Sequence, residues 1–178
     1  MIEQKGQVDQ LPKDIRGAFS ELKIGKHLRQ AGICKSNGFS CLYLFQVAFL
    51  LIFRHQTWHK LLQSSKGKLF PGKDAIYRFL NSPHYGWRKF LSSLSAERIS
   101  AMKRLTSDKR VCCFIVDDSI FSRNRSKCVE LLARVHDHAA GQFVRGFRML
   151  TLGWSDGHSF LPIDFSLLSS QKVTNRIG

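Results

Sequence analysis

The chain has 178 residues, of which 43% are hydrophobic and 11% aromatic, and this composition excludes a disordered tail because it can supply a core. Its formal net charge of +15 is uneven, since residues 1–110 carry a net +13 and residues 111–178 only +2. Such a field attracts polyanions, so we expect the N-terminal part to bind nucleic acid or an anionic membrane surface. Five cysteines without a CxxC pair, and a polar N-terminus, indicate a reducing, cytoplasmic location.

The first part of the chain is predicted to be helical. Apolar residues recur at helical spacing over residues 11–31, and Gly32 is expected to end that helix. Residues 38–53 are almost entirely apolar, but they are fewer than the roughly 20 residues that span a bilayer. This length favours a buried core helix, with a small membrane-associated protein as the alternative.

Three further helices are predicted before residue 108. Residues 57–65 form a short amphipathic pattern, and residues 87–105 form a longer one with a kink expected near Ser95. Between them, residues 74–82 begin with Asp74, which we expect to cap the helix, and place Ile76, Phe79 and Leu80 on one apolar face.

The spacing of apolar residues changes from helical to strand-like after Lys109. Residues 111–117, VCCFIVD, are a continuous apolar run that predicts a strand buried on both faces. Residues 143–154 and 159–168 are two further β-rich runs, and Asp156-Gly157 between them is typical of a hairpin. The sequence therefore predicts a mixed α/β protein, with a basic helical region over residues 1–108 and a sheet over residues 109–178.

Two adjacent carboxylates, Asp117 and Asp118, follow the apolar run and precede Ser119. Because side chains alternate along a strand, only one of the two can point at a given site. Such a residue either caps the next turn or binds a hard cation such as Mg²⁺ together with a substrate phosphate. The histidines His55, His59, His136 and His138 favour solvated or turn positions over a metal site, and no nucleotide-binding motif is present.

Basic residues surround the helix predicted after residue 73. Tyr77 lies among these basic residues, and the pattern suggests either a helix that enters a DNA groove or a solvated surface. The predicted DNA-binding residues are Lys66, Lys68, Lys73 and Arg78.

A family resemblance favours the metal-binding role of the carboxylates and the DNA-binding role of the basic helix. The segment IVDDSIFSR, followed by ELLARVHDH and GFRMLTLGWSDGHSFLPIDFSLLSS, resembles the opening of the catalytic domain of IS4-type DDE transposases. Upstream, FPGKDAIYRFLNSPHYGWRKFLSSLS resembles their helical N-terminal region. The resemblance implies a ribonuclease-H-like fold and a bacterial, cytoplasmic protein that acts on the DNA of element ends and target. It also implies Mg²⁺ or Mn²⁺, possible self-association, and neither a membrane nor a nucleotide cofactor.

Within that resemblance, Asp117-Asp118-Ser119 matches the Asp-x-Ser/Thr pattern at the end of the first strand. Asp117 would be the first member of the metal-binding Asp-Asp-Glu triad, with Asp118 and Ser119 supporting it. No other acidic residue matches the second aspartate or the glutamate; those considered are Glu130, Asp137, Asp156 and Asp164. We therefore expect an incomplete catalytic domain, inactive on its own. The alternatives are a non-catalytic DNA-binding remnant and another Mg²⁺-dependent nuclease of the same fold.

Overall fold

The computed structural model describes residues 12–64 and 67–177, with the main chain alone at Leu69. The chain divides into two compact units, the helical unit (residues 1–90) and the sheet unit (residues 91–178), and the division falls within a long helix. The predicted boundary near residue 108, between a basic DNA-binding region and the start of a catalytic domain, stays a prediction.

The described helices follow the predicted order. They are α1 (Lys13–Glu21), α2 (Ile24–Gln30), α3 (Cys41–Phe53), α4 (Trp58–Gln63), a 3₁₀ turn (Gly67–Leu69), α5 (Lys73–Leu80) and α6 (Trp87–Leu105). The single helix predicted over residues 11–31 is wrong in one respect, since Lys23 adopts a left-handed conformation with φ of 51° and separates α1 from α2. Gly32 ends α2 as predicted, with φ of 72°.

Helix α3 forms the centre of the helical unit, which confirms the predicted core helix. Ser40 caps it by accepting a hydrogen bond from the Tyr43 main-chain N–H at 3.2 Å. Leu44 is completely buried, and Phe45 packs edge-to-face against Phe90 with ring centroids 5.3 Å apart. None of the described helices is long and apolar enough to cross a bilayer.

Helix α5 differs from its predicted form at both ends. Its N-cap is Gly72, so Asp74 lies inside the first turn, where a carboxylate still interacts favourably with the helix dipole. Ile76 and Phe79 are buried as predicted, but Leu80 is 46% exposed because the helix ends there.

The sheet unit contains one antiparallel sheet of four described strands, β1 (Cys113–Ser122), β2 (Ala133–Asp137), β3 (Gln142–Ser155) and β4 (Phe160–Leu168). The long strand β3 pairs with β1 along one edge and with β2 and then β4 along the other. Helices followed by antiparallel strands confirm the predicted mixed α/β class and agree with an incomplete ribonuclease-H-like fold. Ser95 of α6, where a kink was predicted, is buried and donates to the Pro162 carbonyl at 2.5 Å.

The prediction that β1 is buried on both faces is wrong. Phe114 is 72% exposed and Val116 64% exposed, although they lie in the most apolar part of the strand. Within the described ranges β1 pairs only with β3, so it is an edge strand, and its side chains are largely exposed on both faces. The hairpin at Asp156-Gly157 is confirmed, with Gly157 at φ of 84° between β3 and β4.

Candidate active site

Asp117 lies in the middle of β1, opposite Thr151 of β3, and its side chain is exposed. Ser119, two residues further along the strand and so on the same face, donates a hydrogen bond from Oγ to Asp117 Oδ2 at 2.5 Å. Hydrogen bonds to a charged acceptor are short and directional, so this contact fixes the orientation of the Asp117 carboxylate. The result is an oriented anionic group that is open to solvent.

Asp118 points to the other face of the sheet, as strand alternation predicted. Its Oδ2 accepts a hydrogen bond from Nη1 of Arg148, and the two groups form an ion pair. The same guanidinium donates from Nη2 to the His136 carbonyl and to Nε2 of His138, both at 3.3 Å. Arg148 thereby balances the Asp118 charge, and the two adjacent aspartates do not share a site.

Two further aspartates of the sheet unit, Asp137 and Asp164, accept hydrogen bonds from main-chain N–H groups of a turn and a strand. Asp137 Oδ1 accepts from the N–H groups of Ala139 and Ala140, and Asp164 Oδ1 from the N–H of Phe165. Across the described part of the chain, no three His, Cys, Asp or Glu side chains come together in a group that could hold a metal ion. Asp117 can supply one oxygen ligand to a hard cation, but the described residues do not fit a two-metal site.

Three hydrogen bonds hold the Asp156 carboxylate. Its Oδ2 accepts from Nη1 of Arg110 at 2.6 Å, and its Oδ1 accepts from the N–H groups of Ser159 at 2.8 Å and His158 at 3.1 Å. The Arg110 hydrogen bond, followed by that from Ser159, lowers the pKa of Asp156 to about 2. Each bond favours the charged form, so Asp156 serves as an anchor for the β3–β4 turn.

The predicted DNA-binding residues lie in the helical unit where the structure describes them. Lys68 of the 3₁₀ turn and Lys73 and Arg78 of α5 are exposed, and Lys66 lies outside the described residues. Arg78 donates from Nε to the Asp74 carbonyl at 3.2 Å, and Tyr77 is 55% exposed. These positions are compatible with phosphate contacts, and their role in DNA binding stays a prediction.

Strand β2 was not predicted from the sequence, because His136-Asp137-His138 was expected to form a polar turn. The pattern that could have revealed it is short, with Ala133 and Val135 buried and Arg134 exposed between them. Without β2, two features of the sheet unit could not be predicted. They are the contact between Arg148 and His138 and the register pairing of Arg134 with Arg145.

Comparison with known proteins assigns the chain to a family. The family model described as DDE superfamily endonuclease matches residues 47–177, from within α3 to beyond β4. The chain therefore belongs to the DDE superfamily endonucleases, whose members cut DNA and generally use divalent metal ions. No curated protein matches the chain. The search of solved structures also gives no match.

Proposed function

We propose that the chain functions as a transposase of an IS4-like insertion sequence, contributing its DNA-binding helices and the first metal-binding carboxylate. The observation that carries the proposal is the exposed Asp117 carboxylate, oriented by Ser119 on the first strand of an antiparallel sheet. Family membership supports DNA as the substrate. The IVDDSIFSR segment supports the IS4-like subtype. The bacterial cytoplasm is the proposed location, and element ends and target DNA are the proposed partners.

The proposed roles follow from the contacts at each residue. Asp117 would act as a ligand for Mg²⁺ or Mn²⁺, which in this family activates the attacking oxygen and stabilises the leaving one. Ser119 would hold the Asp117 carboxylate in position. Asp118 would stabilise the sheet through Arg148 and take no part in metal binding.

We further propose that this 178-residue polypeptide binds DNA without cleaving it unaided. One carboxylate cannot hold two divalent ions, and the part of the chain that the structure describes gathers no metal-binding group around Asp117. This observation favours the second candidate function, a non-catalytic DNA-binding protein that occupies element ends.

The metal role can be tested with a pair of neighbouring substitutions. Mn²⁺ binding in excess of that of the duplex DNA alone, measured by electron paramagnetic resonance, should be lost in Asp117→Asn. It should persist in Asp118→Asn, which removes the same charge from the opposite face. Equal losses in both variants would mean that net charge alone attracts the ion, and the proposed role of Asp117 would be wrong.

DNA binding can be tested with duplexes that carry IS4-type terminal inverted repeats and scrambled controls. The double variant Lys73→Ala/Arg78→Ala should bind more weakly, and its slope of log K against log salt should be smaller by about 1.8. The matched variant Arg29→Ala/Lys172→Ala removes two exposed charges elsewhere and should change the slope little. Incubation with Mg²⁺ completes the test, since cleavage without end preference would identify another nuclease of this fold.

A further inference from the structure

We propose that the sheet unit carries a second DNA contact, which binds unpaired bases on the face of the sheet that carries Asp117. The contact, here named the arginine–aromatic surface, consists of Arg123, Arg134, Arg145, Phe121 and Phe143. It lies outside the strongly basic N-terminal region, in the part of the sequence with a net charge of only +2. The inference rests on the proposed function, because it names a DNA feature that such a protein would recognise.

The first observation is a pair of like charges placed directly opposite each other. Arg134 of β2 and Arg145 of β3 are register partners, and both side chains are exposed. Like charges in this position destabilise a sheet, whereas Arg110 and Arg148 each have an aspartate partner. Among the described residues, Arg134 and Arg145 form no ion pair with a carboxylate. A bound phosphate would relieve their repulsion.

The second observation is that exposed aromatic rings stand among these arginines. Phe143 is 57% exposed and has the Arg134 guanidinium 5.6 Å from its ring centroid. Phe121 is 40% exposed and has the Arg123 guanidinium 4.5 Å from its ring centroid. Arginines without aromatic rings would be sufficient to bind the phosphates of duplex DNA. Exposed rings beside them are what unpaired bases require, since bases stack on aromatic faces while arginines hold the phosphates.

The third observation is a cavity large enough for a base. It has a volume of about 490 Å³, and Arg134, Phe143, Arg145 and Asn124 are among the residues that line it. The Asn124 carboxamide oxygen accepts a hydrogen bond from the Arg145 main-chain N–H at 2.9 Å. The loop after β1 is thereby fixed against β3, so one wall of the cavity is held in place.

The arginine–aromatic surface lies on the same face of the sheet as Asp117. Alternation along β1 places Asp117, Ser119 and Phe121 on one face, and Phe121 stacks on Phe147 of β3 with ring centroids 5.8 Å apart. Phe121 is four residues, or about 14 Å, from Asp117 along β1, and Phe143 is eight residues, or about 27 Å, along β3 from Thr151, the register partner of Asp117. A DNA strand held at Asp117 would therefore reach the surface several nucleotides away.

The test measures how strongly the full chain binds three labelled DNAs by fluorescence anisotropy. They are a closed duplex, the same duplex with a few unpaired nucleotides at one end, and a single strand. Wild type should prefer the frayed duplex to the closed one. Phe143→Ala should weaken binding to the frayed duplex and single strand about 5- to 150-fold, with little effect on the closed duplex. Arg134→Ala/Arg145→Ala should reduce the salt slope for the single strand by about 1.4.

Two controls make the result specific. Phe114→Ala removes a ring that is 72% exposed on the opposite face and should leave all three affinities unchanged. Circular dichroism spectra should show that every variant is folded. If wild type and Phe143→Ala bind the frayed duplex with equal affinity, the inference is wrong. If in that case Lys73→Ala/Arg78→Ala still binds DNA more weakly than wild type, the proposed function stands without the second contact. Failure of wild type to bind any of the DNAs overturns both.

Discussion

Replacing Gly146 with alanine tests whether the end of β1 lies against β3, five residues beyond Asp117. Gly146 is buried and pairs with Ser122 of β1 on one side and Ala133 of β2 on the other. A Cβ atom at Gly146 would meet the main chain of β1, including the carbonyl oxygen of Phe121 and, at 3.2 Å, the Cα of Ser122. Main-chain atoms cannot rotate away as a side chain can, so the added methyl group must push the strands apart.

The expected loss of stability combines three contributions. Overpacking of this kind destabilises by about 1–3 kcal/mol, and weakening a hydrogen bond between the strands adds about 1 kcal/mol. One such bond nearby runs from the Arg123 N–H to the Arg145 carbonyl at 2.7 Å. Alanine has fewer conformations than glycine in the unfolded chain, and this effect offsets about 0.4–1 kcal/mol of the destabilisation. The net destabilisation is about 2 kcal/mol, which lowers Tm by about 4–8 °C in a protein of this size.

Thermal unfolding followed by circular dichroism measures this effect. Gly17→Ala is the control for the glycine-to-alanine change itself, because a Cβ atom at that position in α1 meets nothing within 4 Å. Alanine is favoured over glycine inside a helix, so this variant should melt at the same temperature as wild type or slightly above it. If Gly146→Ala melts no lower than wild type, β1 does not pack against β3 there. The register that places Phe121 opposite Phe147 would then lose its basis.

Two further predictions concern the same sheet. Because the folded-state pKa of Asp156 lies near 2, its stabilising contribution is present above the ordinary pKa of about 4 and is lost as pH falls through about 2. In urea titrations, the stability difference between wild type and Asp156→Asn should therefore shrink between pH 5 and pH 2, and a constant difference would contradict this. Val116→Lys should reduce self-association by light scattering, since a charge blocks pairing at the exposed edge of β1. Val173→Lys adds the same charge at a 73% exposed position outside the strands, and an equal reduction there would show that only net charge matters.

Much of the helical unit followed from local patterns. The near-continuous apolar run over residues 38–53 identified the buried helix α3, because apolar content is a property of neighbouring residues. The helix begins at Cys41, inside that run, after the cap at Ser40 that only the structure revealed. The Asp156-Gly157 turn was also predictable from neighbouring residues. Local patterns were less accurate at the break at Lys23, where an ordinary residue adopts a left-handed conformation that its type does not favour.

The candidate site was predictable only in part. Alternation along a strand separated Asp117 from Asp118 without any knowledge of the sheet, and the observed contacts agree with it. The partner of Asp118 lies 30 residues away along the chain, and nothing near Asp118 in the sequence points to Arg148. Which residue compensates a charge depends on the strand register, which the local pattern does not encode.

The sequence by itself determined that helices precede strands and that two adjacent carboxylates, on opposite faces of a strand, follow an apolar run. Tertiary structure decided that this run is an exposed edge strand, because burial depends on what packs on each face and not on apolar content alone. It also decided that Arg134 and Arg145 face each other, although they are separated by 11 positions in the sequence. Pairing between strands brings distant side chains together, and only the folded sheet shows which ones meet.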